Sequence, residues 1–250
     1  MNYAVMGKGQ PVILVHGSMS YDPWCDMEFE LAKNFKLYLL DLPGFGASEI
    51  VKGVVHSTDL FSEALDGFIR HTKLQNAPVV GFSLGAVAAI KSASSGYLKG
   101  KLILIGLPGN VKNKKLRIAS FLPLQIRRAA ALTSIGRRKI LIPIFKDVIG
   151  IKDSKRDGIL FDAMLSTSVN SLTDIKMYER PENQVKNLLC NVKNETVFIY
   201  GSQDKLINST SDFVDGPIII QDADHVVFSS QPEKTLSVLK SEIGNFWRIA

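Results

Sequence analysis

The stretch Val79-Val80-Gly81-Phe82-Ser83-Leu84-Gly85-Ala86-Val87-Ala88-Ala89 decides how the rest of the chain is read. It opens on a β-branched pair, which suits a buried strand. It closes on Ala86, Ala88 and Ala89, small residues that suit a helix. Between them stands a serine with a glycine two positions away on either side. A serine at a sharp strand-to-helix turn holds its hydroxyl on a strained, exposed corner, and glycines at these places let neighbouring elements approach closely enough for that corner to form. The stretch predicts Ser83 as a nucleophile at the C-terminal end of a strand.

A nucleophilic hydroxyl needs a base, and the base needs a carboxylate to orient it. Where the serine sits on such a turn, the chain order is serine, acid, histidine. Of the four histidines, His16, His56, His71 and His225, only His225 follows Ser83, and it comes shortly after the apolar run Ile218–Ile220. No carboxylate occurs from 67 to 146, which removes any acid directly after the run Leu102–Ile105. Asp204, in Gly201-Ser202-Gln203-Asp204, is the leading acid; Asp222 and Asp224 are rivals that stand close to His225 in sequence. The negative charge that develops on an attacked carbonyl oxygen needs preorganised donors. The Leu84 N–H, directly after the nucleophile, is expected to supply one. The turn His16-Gly17-Ser18 is expected to supply the other, through the Ser18 N–H. His16 is expected to brace that turn rather than carry protons.

Outward from this centre, short apolar runs alternate with longer mixed segments, the pattern of a mostly parallel α/β sheet. The predicted strands are Val12–Val15, Leu37–Leu40, Val79–Gly81, Leu102–Ile105, Val197–Tyr200 and Ile218–Ile220. Polar or glycine residues follow several of them, including His16-Gly17, Asp41, Ser83, Asp204 and His225. Ligands bind beyond the C-terminal ends of strands in such sheets, so the chemistry is expected there. Between the fourth and fifth runs no strand is predicted. Leu124, Ala131, Leu132 and Ile135 have helical spacing before Gly136, and Ile140, Leu141, Ile144, Phe145, Val148 and Ile149 form a second stripe. The expected organisation is a core of residues 1–108 and 190–250 with a helical insertion at 109–189.

Composition limits the alternatives. The chain has 250 residues, 46% of them hydrophobic and 22% charged, which fits a globular domain with a sizeable core. Two cysteines, Cys25 and Cys190, are too few for a disulfide framework or thiolate metal site. The first ten residues lack the basic and apolar regions of a signal peptide, and no apolar run approaches a bilayer's width, so a soluble cytoplasmic protein is expected. No metal-ligand cluster or phosphate-cradling loop is present, so no metal or cofactor is implied. A monomer or weak oligomer is expected.

The net charge of +6 is concentrated in one segment. Residues 1–110 balance at 9 Lys/Arg against 9 Asp/Glu, whereas residues 111–157 hold 13 against 3. Residues 158–250 hold 8 against 12. Such a basic segment points to an anionic partner. It contains only Phe121 and Phe145 as aromatics and no nucleic-acid motif, so nucleic acid is not the expected partner.

Taken together, these motifs resemble the α/β-hydrolase fold superfamily along nearly the whole chain. The resemblance rests on Gly9-Gln10-Pro11-Val12-Ile13-Leu14-Val15-His16-Gly17, Asp41-Leu42-Pro43-Gly44-Phe45-Gly46-Ala47-Ser48, Gly81 to Gly85, Gly201 to Asp204, and His225 followed by Pro232-Glu233. It implies a Ser83–Asp204–His225 triad beneath a helical cap. Two positions depart from the family pattern: Ala86 stands for a frequent glycine after the turn, and Asp224 for a frequent glycine before the histidine. Asp224 is a negative charge that would favour the imidazolium form of His225, unless it is simply a turn residue. Serine rather than aspartate at position 83 argues against dehalogenase or epoxide hydrolase chemistry.

Within the superfamily, the stretch from Asp22-Pro23-Trp24 to Ser48 is similar to pimeloyl-acyl-carrier-protein methyl ester esterases of biotin synthesis. That likeness implies a small acyl ester presented on an acidic carrier, with Arg127, Arg128, Arg137, Arg138 and Lys139 steering the carrier toward the entrance. Alternatives that the triad alone leaves open are a general small-ester or thioester hydrolase, an acyltransferase, lyase or perhydrolase, and a ligand-binding protein with little turnover.

Overall fold

All six predicted runs form strands, and a seventh joins them in the computed structural model. It describes residues 1–18, 24–49, 56–108, 181–207 and 216–249, with the single positions 132, 133, 135, 139 and 143. The strands are β1 (Tyr3–Met6), β2 (Pro11–Val15), β3 (Lys36–Leu40), β4 (Val79–Phe82), β5 (Leu102–Ile105), β6 (Thr196–Gly201) and β7 (Ile218–Ile220). They form one sheet in the order β1-β3-β2-β4-β5-β6-β7, in which only the β1–β3 pair is antiparallel. The expected α/β fold with a mostly parallel sheet is what the chain adopts. The strand missed from the sequence, β1, is an edge strand whose first three residues are exposed. Its residues Tyr3-Ala4-Val5-Met6 are all apolar, yet most of the strand is exposed, because it pairs only with β3 at the sheet edge. By contrast β4 and β5 are buried throughout, and their runs Val79-Val80 and Leu102–Ile105 are plain in the sequence.

The helices are α1 (Met27–Leu31), α2 (Thr58–Thr72), α3 (Leu84–Ser94), α4 (Pro181–Leu189), α5 (Val227–Ser230) and α6 (Pro232–Ile249). Ser57 caps α2 by accepting the Leu60 N–H at 3.3 Å, and Lys73 closes it in the left-handed conformation at φ 59°. The chain passes from β2 outward to β3 through α1, then back across β2 to β4 through α2. Right-handed crossovers in opposite directions put their helices on opposite faces. Accordingly α3 packs against α2 and α4, while α1 packs against α6. The strand order reverses between β2 and β4, so a crevice opens there at the C-terminal edge, where Gly17 and Ser83 both lie. At the opposite edge the buried Lys101 is held by Glu195 at 2.6 Å and Glu242 at 2.7 Å, tying the start of β5 to α6.

Most of the stretch 109–189 lies outside the described residues, including Arg127, Arg128, Arg137, Arg138 and the stripe Ile140 to Ile149. Of the first helical stripe, Leu132 and Ile135 are described, and they are 68% and 67% exposed. Lys139 is exposed. At the end of the stretch, α4 carries the chain back toward β6, with Val185 buried. Among the described residues no helix is long and apolar enough to cross a membrane.

Candidate active site

Ser83 occupies the single position between the end of β4 and the start of α3, with φ 49° and ψ −107°. A non-glycine residue rarely adopts positive φ, and the conformation costs on the order of 1–3 kcal/mol. Both flanking glycines are required by close approaches. A Cβ on Gly81 would stand 2.8 Å from the Ala86 Cα, and one on Gly85 would stand 2.1 Å from the Val15 carbonyl oxygen. The corner is anchored from the next strand, since the Ser83 N–H donates to the Ile105 carbonyl at 2.8 Å.

Three polar side chains from three strand ends meet at this corner. Ser83, Asp204 and His225 are only 5%, 6% and 3% exposed. The His225 Nδ1–H donates to Asp204 Oδ2 at 2.8 Å, and the Ser83 hydroxyl donates to His225 Nε2 at 3.2 Å. The ionised carboxylate only accepts, which assigns the imidazole proton to Nδ1 and leaves Nε2 as the acceptor. Asp204 is itself oriented, because its Oδ1 accepts the Leu206 N–H at 2.8 Å and the Ile207 N–H at 3.0 Å. Burial of the Tyr200 phenol, with the Asp204 charge beside it, pushes that group well above its ordinary range.

The rival acids serve other purposes. Asp222 is exposed, left-handed at φ 63°, and its N–H donates to Ser202 Oγ at 2.8 Å. The Asp224 Oδ1 accepts the Val226 N–H at 2.9 Å, closing the turn that leads into α5.

Of the two expected oxyanion donors, Leu84 is the first residue of α3, where a helix leaves its N–H groups without intrahelical acceptors. Ser18 is half-buried just after Gly17. Gly17 lies so close over the corner that a Cβ there would meet Phe82 Cδ1 at 2.8 Å and Ser83 Cβ at 3.4 Å.

His16 is buried beneath this turn. Its Nε2 accepts the Leu42 N–H at 3.0 Å, so Nδ1 carries the proton and donates to the Gly17 carbonyl at 2.6 Å. Burial pushes its pKa below 6.5, against the raising effects of the Gly17 hydrogen bond and the Asp41 charge. The ring is a neutral brace between the Gly17 turn and the loop after β3, as expected from the sequence. The unfolded chain takes up a proton near pH 6.5 that the folded His16 refuses, so this contribution to stability is present above 6.5 and declines as pH falls. Thermal unfolding of wild type is expected to weaken below pH 6.5 more steeply than that of His16→Asn. Parallel pH–stability curves for the two proteins would contradict this.

Two contacts were not anticipated. The His225 Cε1 lies 2.8 Å from where a Cβ on Gly106 would be, and the Phe82 ring stands 5.2 Å from the imidazole, centroid to centroid. A glycine directly after a predicted strand was the available signal for the first. Phe82 sits inside the motif itself, but nothing in the motif indicates where its ring points. Among the described residues no group of His, Cys, Asp and Glu is arranged to hold a metal ion.

A family model described as "Alpha/beta hydrolase family" matches residues 12–238. A pimeloyl-[acyl-carrier protein] methyl ester esterase of Aeromonas salmonicida is 32% identical over 88 residues, covering 35% of this chain and 33% of its own length. A 2-hydroxy-6-oxononadienedioate/2-hydroxy-6-oxononatrienedioate hydrolase of Pseudomonas putida is 29% identical over 113 residues, 42% of this chain and 40% of that protein. The aligned region thus spans only a third to two-fifths of these curated relatives. Among solved structures, an esterase from Rhodococcus superposes with a TM-score of 0.78 at 16% identity, covering 98% of this chain and 94% of that one. At that identity the likeness is one of fold.

Proposed function

Because this chain belongs to the alpha/beta hydrolase family, we propose that it is a serine carboxylic-ester hydrolase with Ser83 as nucleophile, His225 as base and Asp204 as the carboxylate that orients it. The observation that carries this reading is the continuous hydrogen-bonded line from Ser83 Oγ through His225 to Asp204, at 3.2 Å and 2.8 Å. Ser83 Oγ attacks the ester carbonyl while His225 Nε2 takes its proton. The Leu84 and Ser18 N–H groups hold the oxyanion of the tetrahedral intermediate. His225 then returns the proton to the departing alkoxide, leaving an acyl-Ser83. Water, deprotonated by His225, attacks that acyl group and releases the acid and free Ser83. Asp204 stays ionised and stabilises the imidazolium formed in each half. A fluorophosphonate probe tests the assignment: the label is expected on Ser83, located by mass spectrometry, and an unlabelled Ser83 overturns it.

For the substrate, the best specific reading is a pimeloyl methyl ester presented on an acyl carrier protein. It is supported by the curated relatives of that name and by the basic segment 111–157, with 13 Lys/Arg against 3 Asp/Glu. Acyl carrier proteins are acidic, so docking of this kind is expected to weaken as salt screens the charges. The carrier-linked ester is expected to turn over with a higher kcat/KM than the free methyl ester at low ionic strength, and to lose that advantage at high salt. Equal kcat/KM at both salt levels removes the carrier from the proposal and leaves the esterase. The Pseudomonas relative, named a 2-hydroxy-6-oxononadienedioate/2-hydroxy-6-oxononatrienedioate hydrolase, supports a second reading, hydrolysis of a 2-hydroxy-6-oxo dienoate. Assaying such a dienoate beside the esters separates the two.

A further inference from the structure

We propose that Phe82, resting on the assignment of Ser83, His225 and Asp204 above, is a positioning residue whose ring fixes both the plane of the His225 imidazole and the height of the Gly17–Ser18 turn. His225 is hydrogen-bonded at two points, Nδ1 to Asp204 and Nε2 to Ser83. Two points define an axis, and the ring remains free to tip about it. Tipping leaves both nitrogens in place but turns the ring plane and tilts the directions of the Nδ1–H and the Nε2 lone pair, so a third contact is needed to set the plane. Two further groups supply it. The Gly106 backbone closes on Cε1, where even a Cβ would be only 2.8 Å away. The Phe82 ring packs against the imidazole at 5.2 Å, tilted by 41°.

The same ring bears on the expected oxyanion turn. A Cβ on Gly17 would come within 2.8 Å of Phe82 Cδ1 and 3.0 Å of Cε1, so the turn rests directly on the ring's edge. One side chain therefore touches the base and the loop that precedes Ser18. It is itself held from behind. Phe228 meets Phe82 edge to face at 4.8 Å, and the buried Trp24 packs against Phe228 at 5.5 Å. Trp24 is followed by Cys25 and Asp26, both at positive φ, 52° and 65°. Backbone strain persists only where the surroundings enforce it. Here it accompanies the indole packed at the end of the aromatic row. A rigid, planar side chain is what such a role requires; a flexible one of equal volume fills the space without setting a plane.

That distinction gives the experiment. Phe82→Met and Phe82→Leu both lose the planar ring and a similar, modest volume; the first leaves a flexible chain and the second a branched one. Kinetics on p-nitrophenyl acetate, thermal unfolding and imidazole 15N shifts are measured for each, with the four histidines labelled. Phe82→Met is expected to unfold within a few degrees of wild type and to keep its KM. Its kcat is expected to fall about 10- to 100-fold, the scale set by a small misplacement of a reacting group. The His225 15N shifts are expected to move from the single Nδ1–H tautomer toward a mixture. An unchanged kcat with unchanged His225 shifts overturns the proposal, as does a loss carried wholly by KM. If wild type fails to react with the fluorophosphonate, the catalytic assignment falls instead, and the His225 shifts of Phe82→Met still decide whether the ring holds the imidazole.

Discussion

Ser83→Ala is expected to reduce hydrolysis of p-nitrophenyl acetate by about five to six orders of magnitude, the scale on which loss of the nucleophile is felt in serine hydrolases. What survives is the rate supplied by binding and the oxyanion donors, which act on a carbonyl attacked directly by water. The fold is expected to persist, because the Ser83 side chain contributes one hydrogen bond, to His225, and alanine is smaller at an already crowded corner. The Ser83 N–H to the Ile105 carbonyl belongs to the backbone and is kept. Thermal unfolding within a few degrees of wild type, loss of fluorophosphonate labelling and loss of turnover should therefore occur together. Retained turnover in a folded Ser83→Ala protein would assign the hydrolysis to another nucleophile.

The second large effect is expected from Asp204→Asn, and its cause is tautomeric. The Asp204 Oδ1 accepts two backbone N–H groups, from Leu206 and Ile207. An asparagine keeps those bonds only by placing its carbonyl oxygen there, which turns its NH2 toward His225 Nδ1. Two donors cannot face each other, so His225 must move its proton to Nε2. Nε2 then presents a proton to the Ser83 hydroxyl instead of a lone pair, and the base is lost although every heavy atom stays near its place. The expected loss in kcat is about 10⁴-fold with little change in KM. Stability is expected to change little, because both backbone bonds survive. Asp204→Ala strands the two N–H groups as well and is expected to cost about 2 kcal/mol or more in stability. A kcat for Asp204→Asn within tenfold of wild type would show that the carboxylate does not set the tautomer.

The parts of this molecule legible in the sequence are those where burial or backbone geometry forces the residue type. The interior strands β4 and β5 are buried on every residue, so they read as unbroken apolar runs, and their boundaries were found to within a residue. Ser83 was legible because the corner excludes a Cβ at Gly81 and Gly85, and two glycines at fixed spacing are visible in any sequence. Asp204 stood out partly by elimination, since 67 to 146 holds no carboxylate. Edge strand β1 is a short apolar run, Tyr3–Met6, but nothing in those four residues indicates the antiparallel pairing with β3 that makes it a strand. The bracing around His225 was not legible either. Gly106 and Phe82 are far from His225 along the chain, and only the pairing of β4 with β5, Phe82 opposite Ile105, brings them to the same place.

The pairing of β5 with β6 has a consequence of another kind. Leu102 and Thr196 are partners across the ladder, so the whole of 106–195 is a detour between two strands that are neighbours in the sheet. Closing a longer loop costs little, roughly 0.6 kcal/mol for each doubling of its length. Among its described residues the contacts with the rest of the fold gather at its two ends: Gly106 beside His225 and the Leu107 carbonyl under the Tyr200 hydroxyl at one, and α4 against α3, Asn194 on the Leu98 and Gly100 carbonyls and Glu195 on Lys101 at the other. Descent can therefore lengthen, shorten or replace it as a cassette while Ser83, Asp204 and His225 remain undisturbed on strand ends outside it. In such a lineage the reaction is inherited through the sheet, and the choice of what reacts is free to drift with the detour.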